Sequence, residues 1–248
     1  MRTESMRTGP AQSVRDGDPA GGPAGPGTQL RGVVIDWGGV MTNSIFDTVS
    51  AWLTAEGIDP ASYLSVMRLW VRQAYGTNSD PGTAAAASPI HALERGEWAD
   101  EEFERLLAGQ LSRLDGGAVE PAGLLARMFA ATVLDSAMHD LVRKLRAAGL
   151  RTALLSNSWG REFYPRELFS DLFDVVVISA EIGMRKPEER IFRHTAELLD
   201  LTPAECVFID DIEANVIAAE AVGLVAIHHR EWQQTSRRLA ELLSLELG

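Results

Sequence analysis

Three short stretches place reactive side chains where apolar runs end, and a fourth adds a lysine. In VVIDWGGV, Asp36 closes the run and glycines follow at 38 and 39. In ALLSNS, Ser156 and Asn157 close a second run, and in CVFIDD, Asp210 and Asp211 close a third. Lys186 stands in RKPEERIF, between the last two. A carboxylate can attack phosphorus or carbon and form a covalent intermediate. Further carboxylates offer the oxygen ligands that a hard divalent cation such as Mg²⁺ takes, together with waters. A hydroxyl and an ammonium bind the remaining oxygens of a phosphate and stabilise charge in transfer. Lysine usage sharpens the point. The chain has 21 Arg but only two Lys, Lys144 and Lys186, and one of them falls where a compact point charge is wanted.

Residues this far apart in sequence meet only if the fold gathers them. Residues 31–36 read as a buried strand. From about 45 to 133 the rhythm is helical. FDTVSAWLTAEG and DPASYLSVMRLWVRQAYG run to Gly57 and Gly76, TNSDPGTAAAAS reads as a loop, and ADEEFERLLAGQLSRL and PAGLLARMFAA read as further helices. After about 134, helices alternate with the strands RTALLSNS, DVVVISA, CVFIDD and LVAIHH. KPEERIFRHTAELLDL reads as a helix with Lys186 at its start and Pro187 near its first turn. The expected fold class is α/β: a Rossmann-like parallel sheet core, residues 30–44 and 134–248, with an inserted all-helical domain at 45–133. Residues 1–29 are rich in Gly and Pro and poor in large apolar side chains, and are expected to be a disordered tail. In open α/β sheets, ligands bind beyond the carboxyl ends of the strands, where Asp36, Ser156 and Asp210 all fall.

The four stretches resemble, in order, the four motifs of the haloacid dehalogenase superfamily, and the helical insert resembles the cap of its phosphatase-like subgroup. ALERGEWADEEF is similar to a stretch common in such caps. The resemblance implies that Asp36 is the nucleophile and that Ser156 and Lys186 bind the phosphoryl group. It implies that Asp211 is a direct Mg²⁺ ligand and that Asp210 is a second or water-mediated one. Asn157 would touch the leaving group or orient its loop. Phosphatases of that superfamily usually carry a second Asp two places after the nucleophile, which protonates the leaving group. Here that place is Gly38. Its carbonyl can still serve the metal, but general acid help, typically worth ~10² to 10⁴ in rate, would be missing. Glu94 and Asp47 are stand-ins to consider, while Arg185 is expected to face away from the site.

The expected function is Mg²⁺-dependent hydrolysis of a small phosphorylated metabolite through an aspartyl-phosphate, slowed by Gly38. One alternative is a catalytically weak phosphoryl-ligand binder or interaction protein. A 2-haloacid dehalogenase is the other, disfavoured because relatives of that kind carry Tyr at the Gly38 position and uncharged residues in place of the acid pair. A net charge of -12 makes the chain a poor candidate for non-specific nucleic-acid binding, which relies on Lys and Arg, and no nucleic-acid partner is expected. No apolar run approaches the ~20 residues of a membrane helix. A single cysteine, Cys206, rules out an intrachain disulfide and a Cys-based zinc site. It is read as a core residue, and a reducing, cytoplasmic setting is expected. Monomer and homodimer both fit. His228 and His229, at the end of the last strand, are expected to be structural. Trp37 is read as packing in the core or walling the pocket.

Overall fold

The structure, a computed structural model, describes residues 29–75, 88–160 and 164–247, and for 71–75 only the backbone. The expected tail up to residue 28, the helix stop at Gly76 and nearly all of the expected loop at 77–88 lie outside the described residues.

Five parallel strands form one sheet: β1 (Gly32–Ile35), β2 (Arg151–Ser156), β3 (Val175–Ile178), β4 (Cys206–Asp210) and β5 (Val225–His228), in the order β3-β2-β1-β4-β5. Their apolar runs are near-continuous because the sheet is covered on both faces, and the two-residue side-chain period divides each run between them. Val33, Ile35, Leu154, Val207 and Ile209 share one buried cluster with Met138, Leu141 and Leu145 of α6 (Ser136–Ala147) and Leu239 of α11 (Trp232–Leu243). Val34, Ala153, Leu155 and Phe208 enter another, with Ile191 and Phe192 of α9 (Glu189–Leu198) and Ala219 and Val222 of α10 (Glu213–Val222). Cys206 is buried in the second cluster, as expected. Two short helices, α7 (Phe169–Leu172) and α8 (Ser179–Ile182), flank β3. At four residues each they are too short to show a helical period.

The insert between β1 and α6 is helical: α1 (Ile45–Glu56), α2 (Pro60–Tyr75), α3 (Pro89–Glu94), α4 (Asp100–Gln110) and α5 (Leu124–Met128). Ser44 caps α1 by accepting the Asp47 N–H at 3.1 Å, and Gly57 ends it at φ +61°, a backbone region costly for other residues. The insert has its own apolar core around Trp52, Trp70, Phe103, Leu107 and Leu124. Glu104 is buried there and accepts the N–H groups of Gly123 (3.0 Å) and Leu125 (2.9 Å) at the start of α5.

The chain leaves and re-enters the sheet side by side. Thr42 bridges Leu134, Asn43 N–H donates to the Val133 carbonyl at 2.9 Å, and Asp135 N–H donates to that of Met41 at 2.9 Å. A second attachment is electrostatic. Arg185 and Glu94 form a buried ion pair, and Arg95 meets Glu188 at 2.5 Å. One boundary differs from expectation. Helix α9 begins at Glu189, so Lys186 and Pro187 lie in the preceding loop rather than in its first turn. Asn157 braces that loop, its Oδ1 accepting the Lys186 N–H at 2.8 Å and its Nδ2 donating to the Lys186 carbonyl at 3.0 Å. Among the described residues, no helix is long and apolar enough to cross a membrane.

Candidate active site

Sheet register sets the geometry. Ile35 pairs with Ile209 on β4 and with Leu154 on β2. One residue further on, Asp36 sits beside Asp210, and its N–H donates to the Ile209 carbonyl at 2.9 Å. Ser156 ends β2 on the other side. The chain moves from β1 to one flank of the sheet and then returns to the other, so these ends border a switch point, where α/β folds open a crevice.

Asp36, Asp210 and Asp211 each present a carboxylate oxygen within 4.8 Å of the others. Lys186, 1% exposed, donates to Asp36 Oδ1 at 2.7 Å and to Asp210 Oδ2 at 2.6 Å. Three acids against one ammonium leave a formal excess of two negative charges. Burial raises the Asp36 carboxyl well above the usual carboxylate range; Lys186 opposes this, and Asp210 and Asp211 add to it. Burial also works against the Lys186 charge, but Asp210 and Asp36 outweigh it and hold the ammonium above its ordinary range.

The two motif acids differ in their surroundings. Asp210 is fully buried and satisfied by Lys186, by the Ile212 N–H at 2.8 Å, and by Asn215 Nδ2 at 3.0 and 3.1 Å. Asp211 Oδ1 is buried without a hydrogen-bond partner among the described residues, and burial with the neighbouring Asp210 pushes its carboxyl up to about 6. The backbone facing it must be glycine. A Cβ on Gly39 would lie 2.2 Å from Asp211 Oδ2, and φ there is +77°. A buried, unpaired carboxylate oxygen in an acid-rich hollow is what an oxygen-ligated divalent cation would satisfy. The donor set fits Mg²⁺.

A cavity of about 230 Å³ opens over Asp36, Ser156, Asn157 and Lys186, with Gly38 on its wall. The sequence reading missed several of its residues. Tyr164 OH lies 2.9 Å from Ser156 Oγ, and its ring packs against Trp37 and Phe169. Phe129 and Trp159 meet edge to face at 6.2 Å. Asn215, on the buried face of α10, could have been found as a polar residue at an apolar helical position. Tyr164 gave no such signal, because it stands in no periodic apolar run of the sequence. Trp37 both packs in the core and lines the cavity.

Arg185 corrects an expectation. It does not face away but lines the cavity beside Lys186, because Glu94 of the insert draws its guanidinium inward. Glu94 reaches the cavity too, whereas Asp47 is exposed in the first turn of α1. His228 and His229 engage Asp211 O and Thr235 Oγ1, each at 2.9 Å.

Residues 30–223 match the family model for haloacid dehalogenase-like hydrolases. The chain belongs to that family. It is a haloacid dehalogenase-like hydrolase of the phosphatase type. It is 31% identical to a sesquiterpene phosphatase of Aspergillus oryzae over 66% of this chain and 84% of that one. It is 33% identical to a phosphatase of Mycobacterium tuberculosis, over 79% of this chain and 86% of the relative. Two further curated relatives, an acyl-CoA dehydrogenase family member of Mus musculus and a bifunctional epoxide hydrolase of Rattus norvegicus, are longer, and the match spans about a fifth of their length. A crystal structure of a family enzyme from Bacteroides thetaiotaomicron shares the fold at a TM-score of 0.59 and 22% identity, covering 84% of this chain and 98% of that one.

Proposed function

We propose that this hydrolase cleaves a small phosphate monoester with Mg²⁺ bound, Asp36 acting as nucleophile. The observation that carries the reading is the cluster of three carboxylates within 4.8 Å, bridged by Lys186, with one oxygen of Asp211 unpaired. The family enzyme of Bacteroides thetaiotaomicron has also been solved as a complex with magnesium and inorganic phosphate, which supports the same reading. Asp36, Asp211 and the Gly38 carbonyl would hold the ion, with Asp210 as a further ligand. Bound there, the cation would neutralise the excess negative charge and polarise a phosphoryl oxygen.

The remaining work falls to the chain. Lys186 favours the ionised form of Asp36 and aims it, and its charge-assisted hydrogen bonds fix the carboxylate against rotation. The Trp37 N–H, which donates to Asp36 Oδ1 at 2.7 Å, does the same from the backbone. Ser156 and Asn157 offer a hydroxyl and an amide to the phosphoryl oxygens, and Tyr164 orients the Ser156 hydroxyl. Attack by Asp36 on phosphorus gives an aspartyl-phosphate, which water then cleaves. The insert covers the crevice and supplies Ile45, Thr48, Glu94, Phe129 and Thr132 to its wall, so it acts as the cap that selects substrate.

The test is phosphate release from a panel of monoesters, with Mg²⁺ or with chelator, and 2-haloacids run alongside. Metal-dependent release that Asp36→Asn abolishes is expected. Halide release, or binding of esters without turnover, would sink the proposal.

A further inference from the structure

The cavity that Asp36 lines is smaller than the roughly 300–1,000 Å³ common for drug-sized ligands. Its apolar lining is Trp37, Ile45, Phe129, Trp159 and Ile212. Three of these are rings, and aromatic side chains favour edge-to-face or offset contact with another ring. The charged residues Glu94 and Arg185 are paired with each other, and Thr42, Asn43, Thr48, Asn157 and Asn215 are hydrogen-bonded within the chain, so these side chains offer little to a polyhydroxylated ligand.

An alkoxide leaves slowly unless a proton reaches its oxygen. Among the described residues lining the cavity, no group is free to give one. Asp36 is the attacking carboxylate. Glu94 is locked to Arg185. Lys186 is held between Asp36 and Asp210. Tyr164 is bonded to Ser156, and burial pushes its hydroxyl up to about 12. Two places beyond the nucleophile there is no side chain at all. A Cβ at Gly38 would lie 2.8 Å from Ile45 Cδ1, so the end of the Ile45 side chain fills that space. Hydrocarbon stands beside the nucleophile where a proton donor would otherwise stand.

We propose that the substrates are phosphate esters of small phenols, aryl phosphates, in preference to phosphates of aliphatic or polyhydroxylated alcohols. This rests on the hydrolase reading above. The ring sits among Ile45, Phe129 and Trp159. The leaving oxygen needs no acid because the ring delocalises its charge. The Asp36 carboxylate forms a bond to phosphorus, and the P–O bond to the ring breaks with its electron pair going to oxygen. The aryloxide takes a proton from solvent after release. Water then attacks phosphorus, the bond to Asp36 breaks, and the carboxylate is restored. Overall, ArO–PO₃²⁻ and H₂O give ArOH and HPO₄²⁻.

The experiment compares kcat/KM, which reports the first phosphoryl transfer, for phenyl phosphate, 4-nitrophenyl phosphate, benzyl phosphate and glycerol 3-phosphate. Benzyl phosphate keeps the ring but leaves as an alkoxide. The missing acid predicts that phenyl phosphate exceeds it by at least ~10²-fold, that 4-nitrophenyl phosphate is faster still, and that glycerol 3-phosphate is slowest. The double variant Gly38→Asp, Ile45→Val makes room for a carboxyl and is expected to narrow the phenyl-to-benzyl ratio. If that variant does not fold, the wild-type series decides alone. A benzyl rate within tenfold of phenyl overturns the leaving-group argument, and a glycerol 3-phosphate rate above phenyl overturns the apolar one. Silence on every ester would instead reject the hydrolase reading itself.

Discussion

Replacing Lys186 by Met removes one buried charge and keeps most of the volume. Its ammonium bridges Asp36 and Asp210 at 2.7 and 2.6 Å. Without it, three carboxylates crowd within 4.8 Å. Two charges at that distance repel by about 3.5 kcal/mol at an effective dielectric of ~20. Taking one partner out of a buried pair costs about 3–5 kcal/mol. At roughly 2–4 °C per kcal/mol for a chain of this size, Tm should fall by about 6–20 °C in chelator. The loop itself should hold, because Asn157 grips the backbone of Lys186 and not its side chain. The loss is therefore one of charge balance, and a cation can offset it. Mg²⁺ should raise the Tm of Lys186→Met by more than that of the wild type, while phosphate release stays lost. Thermal unfolding with and without Mg²⁺ measures both. A variant within 2 °C of wild type in chelator, or one that Mg²⁺ shifts no more than wild type, would refute the reasoning.

Gly39→Ala places a Cβ 2.2 Å from Asp211 Oδ2 at a positive φ, so it should cost about 1–2 kcal/mol for the backbone alone and shrink the Mg²⁺-induced Tm shift; an unchanged shift would show that Asp211 is not held by this glycine. Tyr164→Phe keeps the ring contacts with Trp37 and Phe169 but frees the Ser156 hydroxyl, so stability should change by at most about 1.5 kcal/mol while kcat falls; equal kcat would remove Tyr164 from the site. Burial, opposed by the Met41 carbonyl and assisted by Arg143, holds His139 below its usual 6.5. Between that value and the folded one, the unfolded chain binds the extra proton, so stability falls as pH drops below 6.5, at no more than about 1.4 kcal/mol per unit. His139→Gln should flatten this slope in denaturant titrations from pH 7 to 5, and identical slopes would exclude the histidine as its source.

The strands and most of the acids were legible because parallel strands buried on both faces leave an unbroken apolar run, and a charged residue at its end stands out. Asp36, Ser156 and Asp210 were found that way. The helices α1 and α4 were equally plain, and Gly57 marked the end of α1. What sequence spacing hides is which loop residues fold back over the crevice. Arg185 looked like a neighbour pointing elsewhere, and only the position of Glu94, 91 residues away in sequence, turns it inward. Tyr164 and Phe129 were invisible for the same reason. Gly38 stood out only against the family motif it departs from, and the occupant of the vacated space, Ile45, required coordinates.

The paired segments at 41–43 and 133–135 bring both ends of the helical excursion to a single point of the sheet. All that holds the three carboxylates lies outside that excursion, while much of what a ligand would touch lies within it. On the reading proposed above, bond-breaking equipment lies in the sheet part of the chain, and taste in ligands would be shared with the excursion. On that reading, the excursion could be exchanged or trimmed at that point, provided the Arg185–Glu94 and Arg95–Glu188 pairs beside Lys186 are kept, and the same reaction would then be aimed at a different molecule.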